Sequence, residues 1–113
     1  MKDYIFLFRG GLDFKKASPD QLQQALSNWK NWTEELLKKG IYVRGERLTR
    51  NDATVVKGKI KQVVSGPYTA NEEMVGGYIQ IRAENLKQAI EISGGCPIFN
   101  FDGNVEIREV AQM

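Results

Sequence analysis

The stretch that decides the fold is Val63-Val64-Ser65-Gly66-Pro67-Tyr68, followed through a polar loop and Glu73 by Gly76-Gly77-Tyr78-Ile79-Gln80-Ile81. An apolar strand runs into a Gly-Pro-aromatic turn. Glycine permits unusual backbone angles there, and proline removes a donor and fixes the bend. The next strand, Tyr78 to Ala83, alternates Tyr78, Gln80 and Arg82 with Ile79, Ile81 and Ala83, the period of a sheet with one drier face. The paired glycines that open it indicate close approach by another backbone, a ring or a ligand.

Working back from this stretch, Ala53-Thr54-Val55-Val56 and Ile60 to Val64 form a hairpin across Lys57-Gly58-Lys59. Ile41-Tyr42-Val43 begins an earlier strand, irregular at Gly45. From Arg44 to Lys61 the basic residues Arg44, Arg47, Arg50, Lys57, Lys59 and Lys61 outnumber the acidic Glu46 and Asp52. Exposed hairpins carry lysine to block edge-to-edge pairing, so a solvated edge is the simpler reading. Ser18-Pro19-Asp20-Gln21 is a helix start, with a capping box and proline at the first helical position. Leu22, Ala25, Leu26, Trp29, Trp32, Thr33, Leu36 and Leu37 then recur at helical spacing, predicting a helix from about Pro19 to Lys39 that stops at Gly40. Tyr4 to Phe8 is apolar on both faces and reads as a central strand ended by Arg9.

Downstream, Asn85 and Gln88 cap a shorter helix whose Leu86, Ala89, Ile90 and Ser93 share one face. Gly94-Gly95 ends it, Cys96-Pro97 lies in a link, and Asp102-Gly103-Asn104 turns into a final strand, Val105 to Val110.

Composition narrows the chemistry. A chain of 113 residues fits one domain, 1–113, with a core that needs no staples. The formal charge of +2 is too weak to imply nucleic acid. There is one cysteine and no histidine. Imidazole bases, Ser-His or Cys-His dyads and histidine metal ligands are therefore excluded, and no metal or cofactor is expected. The apolar run near the start is too short for a membrane span and lacks a signal-peptide core, so the expected location is the cytoplasm.

Strand, long helix, strand, hairpin, strand, short helix, strand is the order of an α+β ferredoxin-like sandwich, an antiparallel sheet with two helices on one face. Its other face must be polar or buried in a partner. Apolar residues on both faces in Tyr4–Phe8 and Met74–Ile81 argue for a homodimer with sheets packed face to face.

In this order the pieces resemble the YCII-related family, in the branch named for an Asp-Gly-Pro-Phe motif. The resemblance rests on the aromatic first strand, Trp29 and Trp32, Thr54-Val55, Ser65-Gly66-Pro67-Tyr68, Glu73, Gly76-Gly77-Tyr78, Gly95-Cys96-Pro97 and Val105-Glu106-Ile107-Arg108. It implies a dimeric α+β barrel with a pocket between sheet and loops in each subunit. It also implies links, in some members, to lyase-type chemistry on small aromatic compounds or to alternative sigma factors. Ser65 stands where the motif has aspartate, and the His-Asp pair of proposed enzymes is missing. A serine hydroxyl is not appreciably ionised at neutral pH, so that assignment does not transfer.

Three functions follow as expectations. The first is binding of a small aromatic or anionic molecule by some of Arg9, Trp29, Arg44, Ser65, Tyr68, Glu73 and Tyr78. The second is a lyase or isomerase with Glu73 as base and Tyr68 or Tyr78 as acid, which requires a buried Glu73. The third is an interaction module for sigma-factor-dependent transcription. RNA binding is not expected, because the sequence has no paired-aromatic RNP motif.

Overall fold

The computed structural model describes residues 1–49, 52–68 and 74–112. Four strands make the main antiparallel sheet: β1 (Lys2–Arg9), β2 (Tyr42–Arg47), β5 (Val75–Ala83) and β6 (Asn104–Glu109), in the order β2-β5-β1-β6. Helix α1 (Pro19–Lys38) follows β1, and α2 (Leu86–Ser93) follows β5. This is the ferredoxin-like α+β arrangement. A separate hairpin, β3 (Thr54–Lys57) with β4 (Gln62–Ser65), is inserted between β2 and β5.

β1 is central because its even positions are large and apolar. Tyr4, Phe6 and Phe8 are buried, and across β5 they meet Ile81, Ile79 and Gly77. The helices cover this face with Trp32, Leu36, Ala89 and, beyond α2, Cys96. Each fully buried large side chain contributes about 1.5–3 kcal/mol, so this row is the main apolar stabilisation of the sheet. Helix α1 begins as its sequence demands. The Ser18 hydroxyl accepts the Gln21 N–H at 3.2 Å, and the Gln21 side-chain oxygen accepts the Ser18 N–H at 3.0 Å. At α2, Asn85 accepts the Gln88 N–H at 2.9 Å.

The opposite face of the sheet has no helix over it. Ile5 and Leu7 lie half-buried at its centre, opposite Gln80 and Tyr78 on one side and Arg108 and Glu106 on the other. Around them run Arg9 to Glu106, Arg82 to Asp3 at 3.6 Å, and Gln80 donating to Asp3 at 2.8 Å. The face is a polar mosaic about a small apolar centre. The apolar-on-both-faces reading therefore holds for β1 and not for β5, where Gln80 and Arg82 follow Tyr78 on this side.

Several local expectations change. The hairpin turn is Gly58–Lys61, so Ile60 leaves the strand and is 85% exposed. Gly58 and Lys61 both take positive φ there, and Lys61 N–H closes the turn on the Gly58 carbonyl at 3.1 Å. In α1 the buried positions are Ala25, Trp32 and Leu36, while Leu37 points outward. In α2 they are Ala89 and Ser93, while Leu86 and Ile90 are exposed. Helix α2 is thus rotated so that small residues meet the sheet, whereas α1 buries Trp32 and Leu36. The Cys96-Pro97 link is a 3₁₀ turn, Pro97–Phe101, started by the fixed φ of proline. Among the described residues, no helix is long and apolar enough to cross a membrane.

Candidate ligand-binding cleft

Where β1 ends, Gly10 and Gly11 take φ values of 71° and 85° and carry the chain out of the sheet. Only residues without a Cβ do this readily. The loop then runs against the turn before β6. A Cβ on Gly103 would lie 2.8 Å from the Gly11 nitrogen, 3.0 Å from the Arg9 carbonyl oxygen and 2.4 Å from Ile98 Cγ1. Gly103 thus locks the β1–α1 loop to the 3₁₀ turn. These two segments form one end of a cleft.

The cleft has a volume of about 300 Å³ and lies between the helix-side face of the sheet, the first half of α1, the loop and the 3₁₀ turn. Its walls include Phe8, Phe14, Trp29, Tyr42, Arg47 and Ile98. Phe8 and Trp29 meet edge to face with centroids 5.0 Å apart, and Trp32 stands behind them, 5.8 Å from Trp29. The two tryptophans therefore divide: Trp32 is core, and Trp29 is wall. The Thr33 hydroxyl, also in the lining, donates to the Trp29 carbonyl at 3.0 Å, so it is already satisfied.

Gly45 and Gly77 belong to the cleft lining. Gly45 could not carry a side chain: its Cβ would approach the Tyr78 carbonyl oxygen to 2.7 Å. The irregularity expected at Gly45 is a register shift between Tyr42 and Arg44. Beyond it Gly45 faces Ile79 and Arg47 faces Gly77, so Arg47 stands at the cleft with no side chain opposite it on β5. Its guanidinium carbon lies 5.2 Å from the centre of the Phe14 ring, a cation–π distance.

The polar chemistry of the wall is sparse. Partial burial, then the Glu46 charge and Tyr78, push the Tyr42 phenol above its usual pKa of about 10. It is a neutral hydrogen-bonding group at physiological pH. Cys96, beneath the adjoining 3₁₀ turn, is buried, and burial pushes its thiol up to about 12. It is a packing residue, because the thiolate is the reactive form.

The residues singled out in the sequence go to different places. Trp29 and Tyr78 belong to the cleft lining, although strand alternation places Tyr78 with Leu7, Gln80 and Arg82 on the far side of β5 from Gly77 and Ile79. Arg9 pairs with Glu106 on the opposite face of the sheet. Arg44 is exposed and pairs in register with Gln80, on that same face. Ser65 ends β4, and Tyr68 beyond it is 88% exposed. Neither joins the cleft lining. Glu73 and Arg50 lie outside the described residues. The basic segment also divides, with Arg44 and Arg47 on β2 and Lys57, Lys59 and Lys61 at the hairpin end.

The profile of the YCII-related domain matches residues 12–113. The chain belongs to the YCII-related family. No curated protein matches the chain. The family match takes in α1, β2, the hairpin, β5, α2 and β6, and so every part of the cleft except the end of β1 and Gly10-Gly11. Phe14, Tyr42 and Arg47 are among the cleft residues that the sequence of this YCII-related chain did not mark as a site. The Gly45 irregularity was the available signal for Arg47, because a shift in register changes which side chains reach the inner face.

Proposed function

We propose that this YCII-related protein is a homodimer that binds a small organic molecule in the cleft beside Trp29. One observation carries the binding reading. An open cavity of about 300 Å³ has aromatic walls and few polar groups, the usual composition of a small-molecule site. The test uses Trp29 fluorescence and ligand-observed NMR against a panel of small aromatic and short-chain compounds. Leu26 lines the cleft and is exposed, so Leu26→Trp fills the cavity without entering the core. Binding by wild type that disappears in Leu26→Trp supports the site. Binding unchanged in that variant moves it elsewhere.

Dimerisation is supported by the uncovered apolar centre of the sheet, Ile5 and Leu7. The hairpin adds to this. Val56 and Val63 face each other across it and are exposed, and an isolated two-stranded hairpin is marginal in water. The radius of gyration, 15.5 Å, exceeds the roughly 13 Å of a compact chain this long. Native mass spectrometry reads the state directly. A dimer that Leu7→Glu converts to monomer agrees with packing through the sheet; a monomeric wild type overturns it.

A single domain over residues 1–113, membership of the Asp-Gly-Pro-Phe branch and a cytoplasmic location belong to the same proposal. Their supports are the pairing of β1 with β6 at the two ends of the chain, the Ser65-Gly66-Pro67-Tyr68 turn and the lone buried cysteine. Proton-transfer chemistry through Glu73 has no observation in its favour among the described residues.

A further inference from the structure

We infer that the cleft takes an organic anion, an apolar or aromatic body carrying one carboxylate, and that Arg47 binds the carboxylate. This inference rests on the small-molecule reading and adds the ligand's class and orientation.

Arg47 is the last residue of β2, at the edge of the cleft, and its guanidinium lies over the Phe14 ring. That cation–π contact holds the head group while leaving its donors available to a ligand. Among the described residues no carboxylate pairs with Arg47, whereas Arg9, Arg82 and Arg108 all have acidic partners on the far face. The other charged residue in the lining, Glu46, is its neighbour on the strand. Strand alternation turns Glu46 toward the opposite side, in register with Tyr78. Among the described residues Arg47 is thus the cation of a largely apolar lining, whose other polar side chains are Glu46, turned aside on the strand, and the neutral Asn28, Thr33, Tyr42, Tyr78 and Asn100.

Charge and shape then select the ligand. A planar guanidinium fork matches a carboxylate through two parallel hydrogen bonds. Inward from it lie Gly77, Phe8 and Trp29, an open floor followed by aromatic edges. Tyr42 offers a neutral hydroxyl on the same wall, suited to a ligand oxygen away from the anionic end. A polyanion such as a nucleotide is disfavoured, because among the described residues of the lining Arg47 is the one cation and Glu46 beside it is acidic.

The test measures dissociation constants for matched pairs: phenylacetate with phenylacetamide, benzoate with benzamide, and hexanoate with hexanamide. Wild type, Arg47→Gln and Arg47→Lys are compared. A charge-assisted fork predicts that the carboxylates bind about tenfold to a hundredfold tighter than their amides. Arg47→Gln abolishes that preference, so that each carboxylate and its amide bind alike. Arg47→Lys keeps only part of it, because the point charge lacks the fork. Arg47 is exposed, so its variants fold; equal melting temperatures confirm this. Amides and carboxylates bound equally, or a preference that survives Arg47→Gln, overturns the role of Arg47 while the cleft reading stands. No binding of any pair by wild type, up to millimolar concentration, overturns both.

Discussion

Gly103→Ala is the sharpest probe of how the cleft is built. Gly103 does not occupy the left-handed region, so alanine meets no conformational penalty there. The obstacle is space. The new methyl would sit 2.4 Å from Ile98 Cγ1, 2.8 Å from the Gly11 nitrogen and 3.0 Å from the Arg9 oxygen. Two of these neighbours are backbone atoms, one of them at the end of the central strand, and they cannot rotate away. Overpacking of this kind costs typically 1–3 kcal/mol, and the backbone neighbours put this site at the upper end, about 3 kcal/mol. For a domain of this size each kcal/mol lowers Tm by roughly 5 °C, which gives a fall of about 15 °C. Gly40→Ala is the matched control. Gly40 has φ of +73° and nothing within 4 Å of its Cβ position, so it suffers only the left-handed penalty of about 1 kcal/mol, or roughly 5 °C. The assay is thermal denaturation followed by circular dichroism at one protein concentration, since association would make Tm concentration-dependent. A Gly103→Ala variant that melts no lower than Gly40→Ala would refute the close contact between loop and 3₁₀ turn. The cleft would then lose its rigid end.

Three further outcomes follow from the same structure. Ser18→Ala removes one half of the capping box at α1 and should cost about 1 kcal/mol, read as a lower denaturation midpoint at unchanged slope. Cys96, buried and with its thiol pushed up to about 12, should resist a disulfide-exchange reagent at pH 8 in the native protein and react at once in denaturant; rapid native reaction would contradict the packing. Tyr42 has a raised folded pKa, so the unfolded chain loses this proton first as pH rises. Its contribution to stability is fully present below about pH 10 and is lost as pH climbs through the folded value. Tyr42→Phe should therefore lose less stability than wild type between pH 9 and 11; identical profiles would mean that the phenol is not desolvated.

Much of the architecture was legible in the chain. Ser18-Pro19-Asp20-Gln21 fixes the start of α1 through bonds among four consecutive residues, and Asn85 with Gln88 does the same for α2. Strand order, period and the two helices lead to the ferredoxin-like sheet, because burial on one face enforces alternation. The rotation of each helix was less legible. Leu37, Leu86 and Ile90 have helical spacing yet face outward, since periodicity defines a stripe without saying which edge of it meets the sheet. The hairpin turn moved because Ile60 looks like strand by type, while Gly58 and Lys61 set the turn by their dihedral angles.

The site divides along the same line. Trp29 and Tyr78 were nameable from sequence as aromatic neighbours of glycine-rich or helical segments. The Gly-Pro-Tyr turn, which dominates the sequence, leads away to an exposed hairpin, and its Tyr68 does not line the cleft. Arg47 was one basic residue among six in its segment. Only the register shift after Tyr42, Gly77 opposite it and the approach of Phe14 from another loop set it apart. The sequence by itself determined the order of strands and helices, where the two α-helices begin and that histidine chemistry is excluded, because caps, periodicity and composition act locally. Tertiary structure decided which arginine faces the cavity and which face the far side of the sheet. Inward or outward direction depends on strand register, and register is set by contacts between residues far apart in the chain.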